Sequence, residues 1–219
     1  MRSRSNQSIS ITSDQLPVTS GNKGQPARTP RLPTLAALAA LRNGIRPSHF
    51  LLTVSVATQT MSLFERRRLQ PAGTRFPRYA FRRAWVVSTS RFGVGQAMHS
   101  KQTPLGLHRV AQKVGAGHPI GTIFKSRRPV GLTWKGQPDG EIVHRILWLE
   151  GLEAGFNRGG TVDSLQRYIY IHGFGDETTL GRPTSQGCIH LAGADLMPLF
   201  ERLPVGTLVW IAELPGPGG

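Results

Sequence analysis

Apolar and polar residues alternate along much of the chain from residue 50 onwards, a pattern typical of β-strands with one buried face. The stretch FLLTVSVATQTMSLFE, residues 50–65, predicts a β-hairpin with its turn at residues 57–60. Runs of β-branched, aromatic and aliphatic residues predict five further strands, at Ala84–Thr89, Leu107–Val110, Ile142–Leu149, Tyr168–Ile171 and Thr207–Leu214.

One short helix is predicted near the carboxyl end of the chain. Leu196, Leu199, Phe200 and Leu203 follow the i, i+3, i+4, i+7 spacing of a single helix face. We expect Asp195 to be its N-cap, which places Pro198 in the first turn. Residues 66–83 contain three Pro or Gly residues and predict a long basic loop. Strands therefore outnumber helices, and the fold class is mainly β, as a sandwich or a barrel.

The first 49 residues differ from the rest in composition. Ser, Thr, Asn, Gln, Pro and Arg dominate, and the apolar patch at residues 35–41 is long enough for two helical turns at most. We predict a basic, disordered extension at residues 1–49, one catalytic domain at residues 50–214 and a flexible tail at residues 215–219. The extension lacks a convincing signal peptide, because its apolar patch is short, starts late and is followed by arginines.

The charge of the chain favours an anionic partner. The formal net charge is +15, of which +6 falls in the first 49 residues. Nucleic acid and an anionic cell-wall or phospholipid surface both fit this balance. No nucleic acid is expected, because the arginines are scattered and no reading helix or zinc finger is recognisable. No run of about 18 apolar residues is present, so no transmembrane segment is predicted.

Candidate chemistry is concentrated around the single cysteine. His172 lies at the end of the strand YIYIHGF, and Cys188 follows 16 positions later in SQGCIHL. If the two flanking strands pair, this spacing brings a thiol beside an imidazole. The imidazole can take the thiol proton and later donate one to a leaving amine, whereas a free thiol with a pKa of about 8.5 is mostly protonated at neutral pH. Gly187 lets the backbone turn tightly and point N–H groups at an oxyanion.

Two other interpretations of these residues stay open. Cys188 can be a small buried apolar residue, with His172 a core histidine. A zinc site built on Cys188, His172 and His190 is less favoured, because the CxxC and HExxH spacings are missing. No metal and no cofactor are predicted. As the base we favour His172 over His190, which is only two residues from Cys188.

The motifs IHGF and SQGCIHL resemble the signature of the L,D-transpeptidase (YkuD) catalytic domain, whose usual form is IHG followed by SHGCIR. The resemblance extends more loosely over residues 50–213. It implies a mixed β-sandwich with one short helix after the catalytic cysteine. It further implies Cys188 as nucleophile, His172 as proton donor and acceptor, and orienting roles for Ser185, Gly187 and Gly173.

The chain departs from the family pattern at two positions. Gln186 replaces the usual His, and His190 replaces the usual Arg, which removes a permanent charge that can bind a substrate carboxylate. We expect Gln186, His190 and Tyr170 to contact substrate. Trp134, Arg145 and Trp148 are further candidates to line the cleft.

The function implied by the resemblance is acyl transfer on peptidoglycan stem peptides. Cys188 would form an acyl-enzyme, release terminal D-alanine and pass the acyl group to an amine, in cell-wall biogenesis and the maintenance of cell shape. A carbapenem would acylate the same cysteine, and the periplasm or cell envelope is the expected location. Two alternatives remain: an L,D-carboxypeptidase or related amide hydrolase that uses the same cysteine, and a non-catalytic basic cell-wall binding module.

Overall fold

The computed structural model describes residues 32–68, 77–136 and 139–214. Two α-helices and ten β-strands make up this part of the chain: α1 Leu32–Arg42, β1 Phe50–Ser55, β2 Thr60–Arg66, β3 Tyr79–Ser88, β4 Gly106–Val114, β5 Thr122–Lys125, β6 Arg128–Leu132, β7 Val143–Gly151, β8 Tyr170–Gly173, β9 Ile189–Leu191, α2 Gly193–Arg202 and β10 Leu208–Ala212. Short 3₁₀ turns lie at Gly160–Val162 and Glu177–Thr179.

Eight of the strands form a closed ring in the order β4-β10-β1-β2-β3-β9-β8-β7, because β7 also pairs with β4. The hairpin β5–β6 projects from this ring and joins it at β7 through the pair Ile123 and Val143. Most neighbours are antiparallel, whereas β1–β10 and β8–β9 are parallel. The mainly β fold with one short helix after Cys188 is therefore confirmed, as is the hairpin at residues 50–65.

The main core lies inside the ring. It joins apolar side chains from the strands to one face of α2, which contributes Leu196, Leu199 and the fully buried Phe200. The helix packs against β7 and β8, so it lies behind the strand that carries His172. Burial of large apolar side chains contributes roughly 1.5–3 kcal/mol each to the free energy of folding. The core therefore fixes the position of β8 relative to the rest of the ring.

Residues 32–49 are ordered, contrary to the predicted disorder, while residues 1–31 lie outside the described part. Helix α1 makes three turns, more than the two predicted at most. It buries Ala36, Ala39 and Ala40 in a second apolar cluster with strands β1, β4 and β10. A helix this short is not stable alone, so packing holds it. Gly44 ends it with φ +66°, and the Ile45 N–H donates to Ala40 O at 2.8 Å, as in a Schellman cap.

Strand β3 begins at Tyr79, so residues 79–83 belong to a strand and not to the predicted basic loop. Pairing with β2 extends it, even though Arg82 and Arg83 point to solvent. Residues 69–76 of that loop lie outside the described ranges. Strand β4 likewise continues to Val114, beyond its predicted end, because β7 pairs with it along its length.

Helix α2 begins three residues earlier than predicted, with Ala192 as its N-cap. Asp195 is in its first turn and is not the N-cap, because the Gly193 N–H donates to Glu177 Oε1 at 2.6 Å and caps the helix from a neighbouring loop. Pro198 consequently lies inside the helix, at an exposed position. Asp195 instead forms an ion pair with Arg83 at 2.8 Å. Among the described helices, neither is long and apolar enough to cross a membrane.

Candidate active site

The strands that flank the two motifs do pair, in parallel. Ile171 lies opposite Ile189 and His172 opposite His190 in β8 and β9. Side chains two residues apart on a strand share a face. Continuing this register by one residue brings Tyr170 beside Cys188, on the same face as the two histidines. The structure thus places the predicted thiol and imidazole on neighbouring strands.

His172 is buried and fixed in one tautomer. Its Nδ1 lies 2.7 Å from Gly173 O, and because a carbonyl only accepts, Nδ1 carries the proton. The other nitrogen, Nε2, is then free to accept one. Burial lowers the pKa of His172 to about 4, against the opposing effect of the Gly173 hydrogen bond, so the ring is neutral at pH 7. This is the state that a general base requires.

The carbonyl oxygen of Gly173 accepts the hydrogen bond from His172 Nδ1. The lack of a side chain at Gly173 is also required, because a Cβ there would lie 2.4 Å from Cδ2 of His144. The His144 ring occupies the space between Gly173 and Gly193, and its Nδ1 accepts from the Gly121 N–H at 2.8 Å. Residue 144 therefore packs the end of β8 against both α2 and the base of the β5–β6 hairpin.

Cys188 is half-buried and its thiol is protonated at neutral pH. Sγ donates to Tyr168 O at 3.4 Å. Burial raises the pKa of Cys188 to about 11, against the opposing effects of a backbone hydrogen bond at Tyr170 and of the Arg167 charge. A thiol in this environment needs a base at the moment of attack. In the structure the thiol points to the Tyr168 carbonyl.

A tight turn holds the cysteine in place. The Ser185 hydroxyl donates to Cys188 O at 2.6 Å and accepts the Gly187 N–H at 3.2 Å. Gly187 has φ +119°, a conformation that L side chains rarely adopt, and a Cβ there would lie 3.2 Å from Gln102 O. Ser185 and Gly187 thus lie where an orienting role requires them. The Gly187 N–H is already engaged, so an oxyanion would compete with Ser185 for it.

A neighbouring loop, residues 90–103, supports this turn. Thr103 Oγ1 donates to Gly187 O at 3.1 Å. The half-buried Arg167 holds the same loop by donating to three carbonyls and one hydroxyl, with distances of 2.6–3.3 Å to Gly95 O, Gln96 O, Gln102 O and Ser100 Oγ. Sequence reasoning missed Arg167, which has no motif of its own.

His190 is not placed as a substrate contact. It is 6% exposed, stacks on Phe174 at a centroid distance of 4.5 Å, and lies edge-on to His172 at 4.8 Å. Burial and the His172 charge lower the pKa of His190 to about 3, so it carries no charge at pH 7. The prediction of substrate binding fails because β9 turns this side chain inward beside His172. Its low pKa also makes it a weaker base.

Gln186 and Tyr170 lie at the edges of the site. Gln186 is exposed and lines a cavity of about 240 Å³ together with Met98, His99, Lys101, Gln166, Arg167, Tyr168 and Ile169. The Tyr170 hydroxyl accepts from Arg127 at 3.2 Å, and its ring is edge-on to His172. Tyr170 also lies in the apolar cluster against which Cys188 packs, and contact of either residue with substrate stays a prediction.

The three further candidates for the cleft differ in position. Trp148 packs with Tyr170 and Cys188 in a small apolar cluster, whereas Trp134 is exposed beyond the end of β6. Arg145 is 4% exposed and its guanidinium lies over Phe200 of α2, away from the thiol. Within the described ranges, no three His, Cys, Asp or Glu side chains are grouped as metal ligands.

Comparison with known proteins identifies the family. The model of the L,D-transpeptidase catalytic domain, YkuD, matches residues 50–211. YqjB of Bacillus subtilis strain 168, provisionally named an L,D-transpeptidase, is 35% identical over 78 residues, which are 36% of this chain and 39% of YqjB. Bd1075 of Bdellovibrio bacteriovorus is similar in structure, with a TM-score of 0.47 and 14% identity over 76% of this chain and 48% of Bd1075.

L,D-transpeptidase 3 of Mycobacterium tuberculosis gives a TM-score of 0.40 and 18% identity over 75% of this chain and 61% of that one. The matches thus span about two fifths to three fifths of these proteins. The family match itself covers most of the present chain, including both motifs and all of the strand ring except the last residue of β10. The chain therefore belongs to the family of L,D-transpeptidase catalytic domains.

Proposed function

We propose that the chain is a cysteine acyltransferase that acts on peptidoglycan stem peptides, with Cys188 as nucleophile and His172 as general acid and base. The observation that carries this proposal is the state of His172. Its Nδ1 proton is held by Gly173 O, which leaves Nε2 unprotonated on the face that it shares with Cys188. Family membership supplies the class of reaction.

The reaction follows from these two groups. His172 Nε2 accepts the Cys188 proton as Sγ attacks the carbonyl carbon of the third residue of a stem tetrapeptide. The tetrahedral intermediate collapses, the C–N bond breaks, and His172 donates the proton to the departing D-alanine amine. A second amine then attacks the thioester, transfers its proton to His172 and takes the acyl group. The C–S bond breaks and His172 returns the proton to Sγ, so the thiol is restored and one amide bond has replaced another.

The pKa values of the pair make the proton transfer concerted with attack. A thiol of pKa about 11 beside an imidazole of pKa about 4 forms hardly any resting ion pair. The thiolate is scarce at neutral pH until a carbonyl carbon is within reach, which slows the reaction of the single cysteine with other electrophiles. By the same chemistry, the strained carbonyl of a carbapenem acylates Cys188.

Water is the alternative acyl acceptor and would make the chain an L,D-carboxypeptidase. The non-catalytic alternative, a basic cell-wall binding module, is motivated by Gln186 and His190. Neither departure removes the hydrogen bond that sets the His172 tautomer. We therefore favour catalysis, and by its substrate we place the protein in the periplasm or cell envelope.

The test is product analysis with a purified disaccharide tetrapeptide. We expect cross-linked dimer and free D-alanine, both absent with Cys188→Ala. Shortened tripeptide without dimer would assign the acyl group to water and favour the hydrolase. Dimer formation by Cys188→Ala would refute the proposal, and binding without any product in the wild type would favour the binding module.

A further inference from the structure

The tip of the β5–β6 hairpin carries an arginine back to the candidate active site. Lys125 pairs with Arg128, which leaves a two-residue loop of Ser126 and Arg127 with φ values of 48° and 66°. Two positive φ values are the mark of the tight turns that close such hairpins, where Asn and Gly are usual. A residue as bulky as Arg127 is uncommon at positive φ, which indicates a functional role for its side chain.

The Arg127 guanidinium rests on an aromatic shelf made of Trp148, Tyr168 and Tyr170. It lies 4.5 Å from the Trp148 ring centroid and 5.1 Å from that of Tyr168, and it donates to the Tyr170 hydroxyl at 3.2 Å. A guanidinium stacked in this way keeps its face on the rings and its N–H edge outward. The side chain is thus oriented before any ligand arrives.

The same shelf borders the nucleophile. Sγ of Cys188 donates to the Tyr168 carbonyl, and Cys188 packs against the cluster that contains Trp148 and Tyr170. Two of the rings that hold Arg127, those of Trp148 and Tyr170, therefore lie in the cluster against which Cys188 packs. The third residue, Tyr168, meets the thiol through its backbone carbonyl.

No acidic side chain in the described part of the chain pairs with Arg127. Arg82, Arg83, Arg109 and Arg202 each have an Asp or Glu within 3.2 Å. Within the described ranges, Arg127 has aromatic and phenol partners and no carboxylate within ion-pair distance. It is half-exposed, so solvent and a ligand can reach its free N–H groups. Planar carboxylates are the ligands that such a fork binds best.

We infer that Arg127 binds a carboxylate of the acyl donor and so selects peptides that end in a free carboxyl group beside the scissile bond. In a peptide cleaved before its last residue, that carboxylate is separated from the attacked carbonyl carbon by one nitrogen and one Cα, a distance of about 4 Å at most. This inference rests on the proposed function for the identity of the ligand. The Arg127 guanidinium is also a cation, which the buried and neutral His190 is not.

A chemical test needs no enzymatic turnover. Iodoacetate and iodoacetamide alkylate the single cysteine by the same reaction but differ in charge. The rate with iodoacetate divided by the rate with iodoacetamide, compared with the same ratio for free cysteine, therefore reports a carboxylate site beside Cys188. We expect Arg127→Gln to lower this ratio about tenfold, the effect of one lost charged hydrogen bond. Arg128→Gln, which removes the same charge from the neighbouring exposed residue, is the matched control and should change the ratio less than about twofold.

Equal ratios in wild type, Arg127→Gln and Arg128→Gln would overturn the inference, as would equal losses in both variants. A second measurement uses only the wild type, in case Arg127→Gln folds poorly. N-acetyl-D-alanine should slow alkylation by iodoacetamide, and N-acetyl-D-alaninamide should not. Equal protection by the acid and the amide would contradict a carboxylate site.

Stem tetrapeptides with a terminal carboxylate or a terminal amide then separate this inference from the proposed function. The carboxylate peptide should acylate the wild type with a kcat/KM about tenfold higher than the amide peptide does, and Arg127→Gln should lose that preference. If neither peptide acylates the wild type but the wild type still prefers iodoacetate, the proposed function is refuted and the inferred carboxylate site stands. Acylation with no carboxylate preference would refute the site alone.

Discussion

Arg167 is predicted to be the main support of the loop behind Cys188. The substitution Arg167→Ala removes four hydrogen bonds to residues 95–102 and leaves three backbone carbonyls without their donor. For a half-buried guanidinium we take about 1 kcal/mol net for each bond, less some overlap between bonds to one loop, which gives a loss of about 3 kcal/mol. The loop also carries Thr103, which donates to Gly187 O.

Urea denaturation of wild type and Arg167→Ala at one pH measures this loss. Arg158→Ala is the control, since Arg158 is exposed, and it should cost less than about 0.5 kcal/mol. Arg167→Lys keeps the charge but not the planar fork and should recover only a minor part of the loss. The Arg167 charge also favours the Cys188 thiolate, so the pKa of Cys188 should rise further in Arg167→Ala. A loss below about 1 kcal/mol would show that these hydrogen bonds do not support the loop in solution.

Three further predictions concern stability. Burial holds the pKa of three histidines low, about 4 for His108 and His172 and about 3 for His190. Because unfolded histidine binds a proton near pH 6.5, these three histidines should contribute fully to the free energy of unfolding above about pH 6.5, and this contribution should be lost as the pH falls towards 4; pH-independent stability from pH 7 to 4.5 would contradict this. Gly187→Ala, strained at φ +119° and crowded by Gln102 O, should cost clearly more in thermal unfolding than Gly117→Ala, which has φ +75° and open space; equal costs would refute the crowding argument. Ala40→Asp should cost at least about 3 kcal/mol by burying a charge, whereas Leu41→Asp, 43% exposed, should be nearly neutral; a mild Ala40→Asp would mean that α1 does not dock.

Much of the fold is predictable because the strand signal is local. The hairpin at residues 50–65 and the strands that carry His172 and Trp148 have clear alternation and turn residues. The closed ring is not predictable this way, because it depends on which strands pair over long distances. The helix α1 was missed for a related reason: its stability comes from alanines packed on strands far along the chain.

In the candidate site, too, some residues can be predicted from local sequence and others only from tertiary contacts. Cys188 and His172 can be predicted because a lone thiol between glycine and strand residues is an unusual pattern. The misplacement of His190 arose because only the β8–β9 register shows which face a side chain takes. Arg127 and Arg167 have no motif, and only the tertiary contacts distinguish them from the chain's many surface arginines.

The central claim is that Cys188 forms an acyl-enzyme with the help of His172. Intact-protein mass spectrometry after incubation with a carbapenem or with the stem tetrapeptide, followed by peptide mapping, tests it most directly. We predict a single adduct on the peptide that contains Cys188, no adduct with Cys188→Ala, and much slower formation with His172→Gln, which cannot act as a base. An unmodified wild-type protein, or an adduct that survives in Cys188→Ala, would contradict the account.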